Sequence, residues 1–177
     1  MPVCLGHFWW GAERPTKNAP VLTALAVALT QRRLTVAKFV KVFVYGTLKP
    51  GECNYESYCV GQVVEVQPAV AHGELFDLPF DYPAMAQGDR SVHGYLLSFA
   101  DVAILSDLDE LEDYSPDRAD VENEYVRQEV EVFSPEGQSL GTAWVYLMSA
   151  ARAIGMGGVL LPDGKWTAAE KAAETSY

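Results

Sequence analysis

Glu112 stands where a helix pattern calls for a leucine. Across residues 101–113, DVAILSDLDELED, a turn of about 100° per residue gathers Ile104, Leu105, Leu108 and Leu111 into one sector, while Asp107 and Glu110 point away. Glu112 falls four residues after Leu108 and seven after Leu105, so a helix that reaches it aims its carboxylate between two leucines on the buried face. Asp109 lies only at the edge of that sector. Desolvation disfavours a buried carboxylate and raises its pKa, and a raised pKa is what a general base working near neutrality requires. Two structural readings compete with that chemistry. The helix can fray before Glu112 and leave it in an exposed Asp113-Tyr114 turn, or Glu112 can pair with Arg127.

A second stretch with chemical content is KVFVYGTLKPG, residues 41–51. Val42, Phe43, Val44 and Tyr45 read as a short strand buried on both faces, and Gly46 ends it. Pro50-Gly51 supplies a turn soon after. Such a loop can leave the amides of residues 46–48 without ladder partners, and unpaired amides on a rigid edge suit an anionic or carbonyl oxygen. A simple strand-ending turn is the other reading. The Gly46 and Gly51 spacing also matches a phosphate-binding loop, but Glu52 and Cys53 stand where Lys and Ser or Thr are needed, which excludes nucleotide hydrolysis by that route.

The elements that must position these residues are mostly strands. Residues 70–78 and 92–99 are strand-like, separated by a turn-rich stretch containing Tyr82-Pro83-Ala84 and Gly88-Asp89. Residues 125–133 alternate, with Val126, Val130 and Val132 on one face and Tyr125, Arg127, Glu129 and Glu131 on the other. Ser134-Pro135-Glu136-Gly137 then turns the chain into 141–148, which makes a hairpin. Three segments are expected: an N-terminal extension over 1–38, poorly ordered or weakly helical; a domain over 39–150; and a tail over 151–177, a glycine-rich surface excursion before a weak Ala-rich helix near 168–174.

The 177 residues suffice for one domain with a real core, and 49% hydrophobic against 21% charged is ordinary for a globular chain. A formal charge of -11 argues against nucleic acid or an anionic membrane as partner. Cys4, Cys53 and Cys59 form neither a disulfide framework nor a zinc motif, and His7, His72 and His93 are scattered. A reducing, cytoplasmic setting without metal is expected. The apolar run 21–29 is far short of the ~20 residues that span a bilayer. It leaves open a secretory signal, a short docking helix or a start assigned too early.

In order along the chain stand Tyr45-Gly46-Thr47-Leu48, Tyr82-Pro83-Ala84, Leu108-Asp109-x-x-Glu112 and Tyr125-x-Arg127. Together they resemble the γ-glutamylcyclotransferase family in its AIG2-like branch, over about residues 41–148 with Gly164-Lys165-Trp166 as a further match. The resemblance implies a mixed α+β fold with a small closed or nearly closed β-barrel and flanking helices. It also implies an enzyme that cyclises a γ-glutamyl group to 5-oxoproline, releases an amine and uses no cofactor. Carried over residue by residue, Tyr45, Gly46, Thr47 and Leu48 bind the γ-glutamyl group and Glu112 is the acid/base. Tyr125 and Arg127 support the pocket. A non-catalytic binding module on the same fold and a thiol acyltransferase using Cys53 or Cys59 are the alternatives.

Overall fold

In the computed structural model residues 39–169 are described, so the expectations for residues 1–38, and most of the helix expected near 168–174, lie outside the described residues. The apolar run after Lys41 is strand β1 (Val40–Val44). Val42 and Val44 enter one buried cluster while Phe43 and Tyr45 enter another, so both faces of this stretch are covered. That double burial is why the segment reads as unbroken apolar sequence.

Strand β3 (Pro83–Phe99) runs antiparallel to β1, with Val42 opposite Leu97. On the other side β5 (Ser139–Leu147) meets β1 in parallel, Val42 opposite Trp144. Strand β2 (Val63–Asp77) pairs with β3 along its length and touches β4 (Val126–Phe133) at Val70 and Ala71, while β4 and β5 form the expected hairpin. The order β1, β3, β2, β4, β5 therefore returns to β1, and five strands pair in a ring. Strand β6 (Val159–Leu160) adds to the end of β2. The ring is thin at the β1–β5 and β2–β4 seams, but the class is the mixed α+β fold expected from the sequence.

Among the described residues three short α-helices flank the ring: α1 (Tyr55–Tyr58), α2 (Ile104–Leu111) and α3 (Ala150–Gly155). Ile104, Leu105 and Leu108 of α2 and Ala153 of α3 share a buried cluster with Cys59, just past α1. The second cluster draws on the strands and their ends, with Trp166 added. Four leucine-class side chains on one face are enough to seat α2, which has no side-chain cap at its start.

Two expectations need correction here. Gly88-Asp89 is not a turn between strands: β3 continues through it, and the pairing jumps from Gly73 opposite Arg90 to Glu74 opposite Ala86. Residues 87–89 bulge out, and Gly88 folds back so closely on β2 that a Cβ there would lie 2.6 Å from Glu74 Cγ. The segment after residue 150 is not a surface excursion either. Trp166 is buried, its indole N–H donates to Asp77 Oδ1 at 2.8 Å, and the Lys49 ammonium donates to its carbonyl. The Gly164 carbonyl accepts from the His93 amide at 2.8 Å, so residues 151–166 pack as part of the same domain as 39–150.

Candidate active site

Beyond β1 the chain turns at once, because the Lys49 amide donates to the Gly46 carbonyl at 3.0 Å. Gly46 is needed there for space: a Cβ would lie 2.7 Å from Pro83 Cγ, so the loop rests directly on the Tyr82-Pro83-Ala84 segment. The amides of Gly46, Thr47 and Leu48 have no backbone acceptor among the described residues. Asn54 pins the loop twice, its amide to the Thr47 carbonyl at 3.1 Å and its side chain to Thr47 Oγ1 at 3.0 Å. Since Thr47 Oγ1 accepts from Asn54, its own hydrogen is left to donate elsewhere. The Leu48 side chain is buried in the helix-facing cluster, which leaves its amide as the group able to meet a ligand.

Tyr45 is committed differently. Its hydroxyl donates to the Tyr146 carbonyl at 2.7 Å and accepts from the Met85 amide at 3.2 Å. Burial, with a smaller contribution from nearby Glu112, raises its pKa well above the ordinary tyrosine value. Its hydroxyl therefore braces three strand ends.

Helix α2 ends one residue before Glu112 rather than running through it. The Tyr114 amide donates back to the Asp109 carbonyl at 2.9 Å and the Asp113 amide to Glu110 at 3.4 Å, with Asp113 in the left-handed region at φ 46°. This is a Schellman closure with aspartate in the place glycine normally takes. Glu112 is its C-cap, held by its amide to the Leu108 carbonyl at 3.0 Å. Although the residue as a whole is only partly buried, its carboxyl is densely surrounded by protein. Burial first, and the Glu124 charge second, push its pKa up from 4.5 to about 7.

The expected alternative partner, Arg127, goes to Asp109 instead. Arg127 Nη1 lies 2.7 Å from both Asp109 carboxylate oxygens, and the Tyr146 hydroxyl donates to Oδ1 at 2.7 Å. The guanidinium is sandwiched between the rings of Tyr114 and Trp144. Among the described residues the Glu112 carboxylate has neither a hydrogen-bond donor nor an ion-pair partner. Neither structural alternative to a chemical role, fraying into an exposed turn or pairing with Arg127, is what the structure contains.

Glu124 reaches the same place through a closed loop. Its amide donates to the Asp113 carbonyl at 3.3 Å, and buried Asn123 ties residues 115–119 inside that loop. Glu124 Oε1 accepts from the Tyr82 hydroxyl at 2.9 Å. Sequence reasoning missed Glu124, since one acid in an acidic loop carries no signal until the loop closes. Tyr82 and Tyr125 were visible as motif residues without a specific contact; Tyr125 donates to the Pro83 carbonyl at 3.0 Å and so fixes the floor under Gly46.

All five expected site residues, Tyr45, Gly46, Thr47, Leu48 and Glu112, line one cavity of about 460 Å³, which Glu124 also borders. Cys53 borders it as well, and among the described residues no histidine does. Cys59 is fully buried and does not border the cavity, and burial pushes its thiol up to about 11, which disfavours a thiolate there. Among the described residues no cluster of three metal-ligating side chains occurs, and no helix is long and apolar enough to cross a membrane.

The model of the gamma-glutamyl cyclotransferase, AIG2-like family matches residues 42–168, a span that holds both halves of this cavity. The chain belongs to that family. A protein of Vibrio cholerae serotype O1, provisionally named a gamma-glutamylcyclotransferase, is 36% identical over 129 residues, 71% of this chain and 93% of the relative. Among solved structures, the AIG2-like protein of Mus musculus has a TM-score of 0.56 at 22% identity, covering 73% of this chain and 88% of that one. YkqA from Bacillus subtilis has a TM-score of 0.54 at 20% identity; the match covers 78% of this chain but only 43% of YkqA. These structural likenesses carry the fold, and the gamma-glutamyl cyclotransferase family match extends it to Trp166 and beyond, where the chain re-enters the core.

Proposed function

We propose that the protein cyclises γ-glutamyl compounds to 5-oxoproline with release of an amine. The observation that carries this reading is the partnerless Glu112 carboxyl, raised to about 7, on the same cavity as the open amides of residues 46–48. An acid with that pKa is partly ionised near neutrality and can both take and return a proton. Glu112 removes a proton from the α-amine, whose nitrogen attacks the γ-carbonyl carbon. A carbon–nitrogen bond closes the five-membered ring as the bond to the leaving nitrogen breaks, and Glu112 returns the proton to that nitrogen. No water is consumed.

As the carbonyl oxygen gains charge, the amides of residues 46–48 and the Thr47 hydroxyl are donors that need no reorganisation to meet it. The same groups also suit the α-carboxylate of the γ-glutamyl end. Because nucleophile and electrophile belong to one molecule, the cavity has only to hold a folded conformer and move protons, which calls for no cofactor. Rigidity therefore matters more than reactivity, in keeping with a loop pinned by Asn54 and Pro83.

The test is a panel of γ-glutamyl compounds assayed for 5-oxoproline by mass spectrometry, with α-N-acetylated versions beside them. Free-amine compounds should yield 5-oxoproline and acetylated ones none. Release of amine from the blocked compounds would mean hydrolysis and would overturn cyclisation. Binding of γ-glutamyl compounds without 5-oxoproline would make this a binding module.

A further inference from the structure

Lys49 follows directly on the loop that carries the open amides, and at 8% exposure it is a cation almost without access to solvent. Leu48 and Cys53 border the cavity, while residues 49–52 between them do not. A lysine buried that far needs a partner for its charge. It finds one away from the cavity: the ammonium donates to the Trp166 carbonyl and lies 5.7 Å from the centre of the Trp166 ring. Trp166 can serve as an anchor because it is itself held. It shares the strand-lined cluster with Phe43 and Tyr45, and its indole N–H donates to Asp77 Oδ1, at the end of β2, at 2.8 Å. Before it, the Leu161 amide donates to the Leu75 carbonyl and the His93 amide to the Gly164 carbonyl, both at 2.8 Å. After it, the Ala168 amide reaches Glu52 Oε2 at 3.4 Å. The segment 161–168 thus straps residues 49–52 to β2 and β3.

We propose, resting on the cyclisation reading above, that Lys49 is a positioning residue: through Trp166 it holds the turn whose amides meet the γ-carbonyl oxygen as that oxygen gains charge. The Lys49 amide closes this turn on the Gly46 carbonyl at 3.0 Å, with Thr47 and Leu48 between them. Side chain and closing hydrogen bond belong to one residue, so fixing the ammonium fixes the corner of the turn. Pro83 under Gly46 and Asn54 on Thr47 brace the turn from the site, and Lys49 braces it from the side that substrate never touches. The effect belongs in kcat rather than KM. A resting carbonyl carries little charge and tolerates a turn that shifts, whereas donors aimed at a developing oxyanion lose their value when displaced. A misplacement of about 1 Å can cost roughly 10²-fold.

The test pairs steady-state kinetics, on the fastest compound of the γ-glutamyl panel, with amide hydrogen exchange followed by NMR without ligand. In Lys49→Met, kcat should fall by about 10- to 100-fold while KM stays within about twofold. Exchange of the amides at positions 49 and 54, which close on the Gly46 and Thr47 carbonyls, should quicken by about tenfold, and that of Leu97 in β3 should not change. Trp166→Phe keeps the carbonyl and a ring but loses the bond to Asp77, so it should show the same pattern at about threefold. Lys165→Met removes the same charge from an exposed neighbour on the strap and should leave kcat, KM and exchange as they are. A folded Lys49→Met protein with normal kcat and normal loop exchange, or one that loses only KM, would overturn the proposal. If that variant fails to fold, Trp166→Phe decides in the same way. Absence of 5-oxoproline from every compound in the unaltered protein would sink cyclisation, and faster exchange at positions 49 and 54 would still show the brace. Normal exchange and turnover in both variants of a protein that does form 5-oxoproline would do the reverse.

Discussion

Two carboxylates lie three residues apart at the end of α2 and occupy opposite worlds. Asp109 receives Arg127, a tyrosine hydroxyl and two aromatic rings around the guanidinium. Glu112 receives no partner among the described residues and borders a cavity. An acid that is fully neutralised and hydrogen-bonded contributes to specifying the fold, whereas one held desolvated without a partner keeps a cost in the folded state. The Asp109 side anchors the helix end to β4 and β5 so firmly that the Glu112 side can bear that cost. On this view the two acids have separable jobs, and each substitution below should affect one and spare the other.

The largest effect expected is on turnover. Glu112→Gln keeps the shape and removes the base, so 5-oxoproline release should fall by about 10²–10⁴-fold, the usual contribution of a general acid–base group. Circular dichroism and binding of a γ-glutamyl ligand should be unaltered. Near-normal turnover in a folded Gln variant would remove Glu112 from the chemistry.

Next comes the anchor. Arg127→Ala strips the partner from a partly buried Asp109 and should cost roughly 3 kcal/mol in urea unfolding. Replacing both members with neutral residues, Arg127→Met with Asp109→Asn, should cost less than the single change, because no uncompensated charge is left behind. A loss under about 1 kcal/mol for Arg127→Ala would place the pair with ordinary surface ion pairs and undo the contrast drawn above.

That contrast was only half legible in the sequence. Glu112 was visible because it interrupts a helical apolar stripe, and β1 because both its faces are buried. The Asp109–Arg127 pair was not, since i-to-i+18 partners across a loop leave no periodic trace, and Arg127 was as plausible a match for Glu112. Strand β3 was cut short because Gly88-Asp89 has the composition of a turn; only pairing geometry distinguishes a bulge from one. Trp166 stands out in the sequence only as part of the Gly164-Lys165-Trp166 match; its burial does not, because the glycines and proline around it signal loop whether or not the loop returns to the core. Gly46 was noticed as permissive backbone, but the reason for a glycine is the Pro83 ring beneath it, a contact between residues 37 apart in sequence.

A third prediction turns the same comparison into a pH profile of stability. The folded pKa of Glu112 is raised to about 7 from 4.5, so its favourable contribution is complete when protonated below the unfolded value. It is lost as pH rises through that window, because the unfolded chain ionises first. Wild type and Glu112→Gln should therefore be equally stable near pH ~4 and diverge until about pH 8, with the Gln variant more stable by roughly 2–3 kcal/mol. The Gln amide must find acceptors for that gain to appear in full. Chemical unfolding across this range is the measurement, and parallel curves would show that the Glu112 carboxyl is solvated after all.

The smallest effect concerns the residue that separates the two acids from the loop beyond. Asp113 sits at φ 46° and carries an exposed ion pair with Arg118 at 2.9 Å, which solvent screens to little value. Asp113→Gly gives up that pair and relieves the left-handed strain, so the two changes oppose and stability should stay within about 1 kcal/mol of wild type. Turnover should hold too, because the closure depends on the Tyr114 and Asp113 amides and not on the aspartate side chain. Asp113→Val is the informative partner. A β-branched residue resists the left-handed region by roughly 1–2 kcal/mol, so the chain must either absorb that strain or open the closure. Opening it would swing Glu112 away from the cavity and release the Asp113 carbonyl that holds the Glu124 amide. A Val variant that unfolds slightly earlier but turns over normally would show the closure is maintained at that cost; one that loses turnover out of proportion to stability would show that this single turn sets where the base stands.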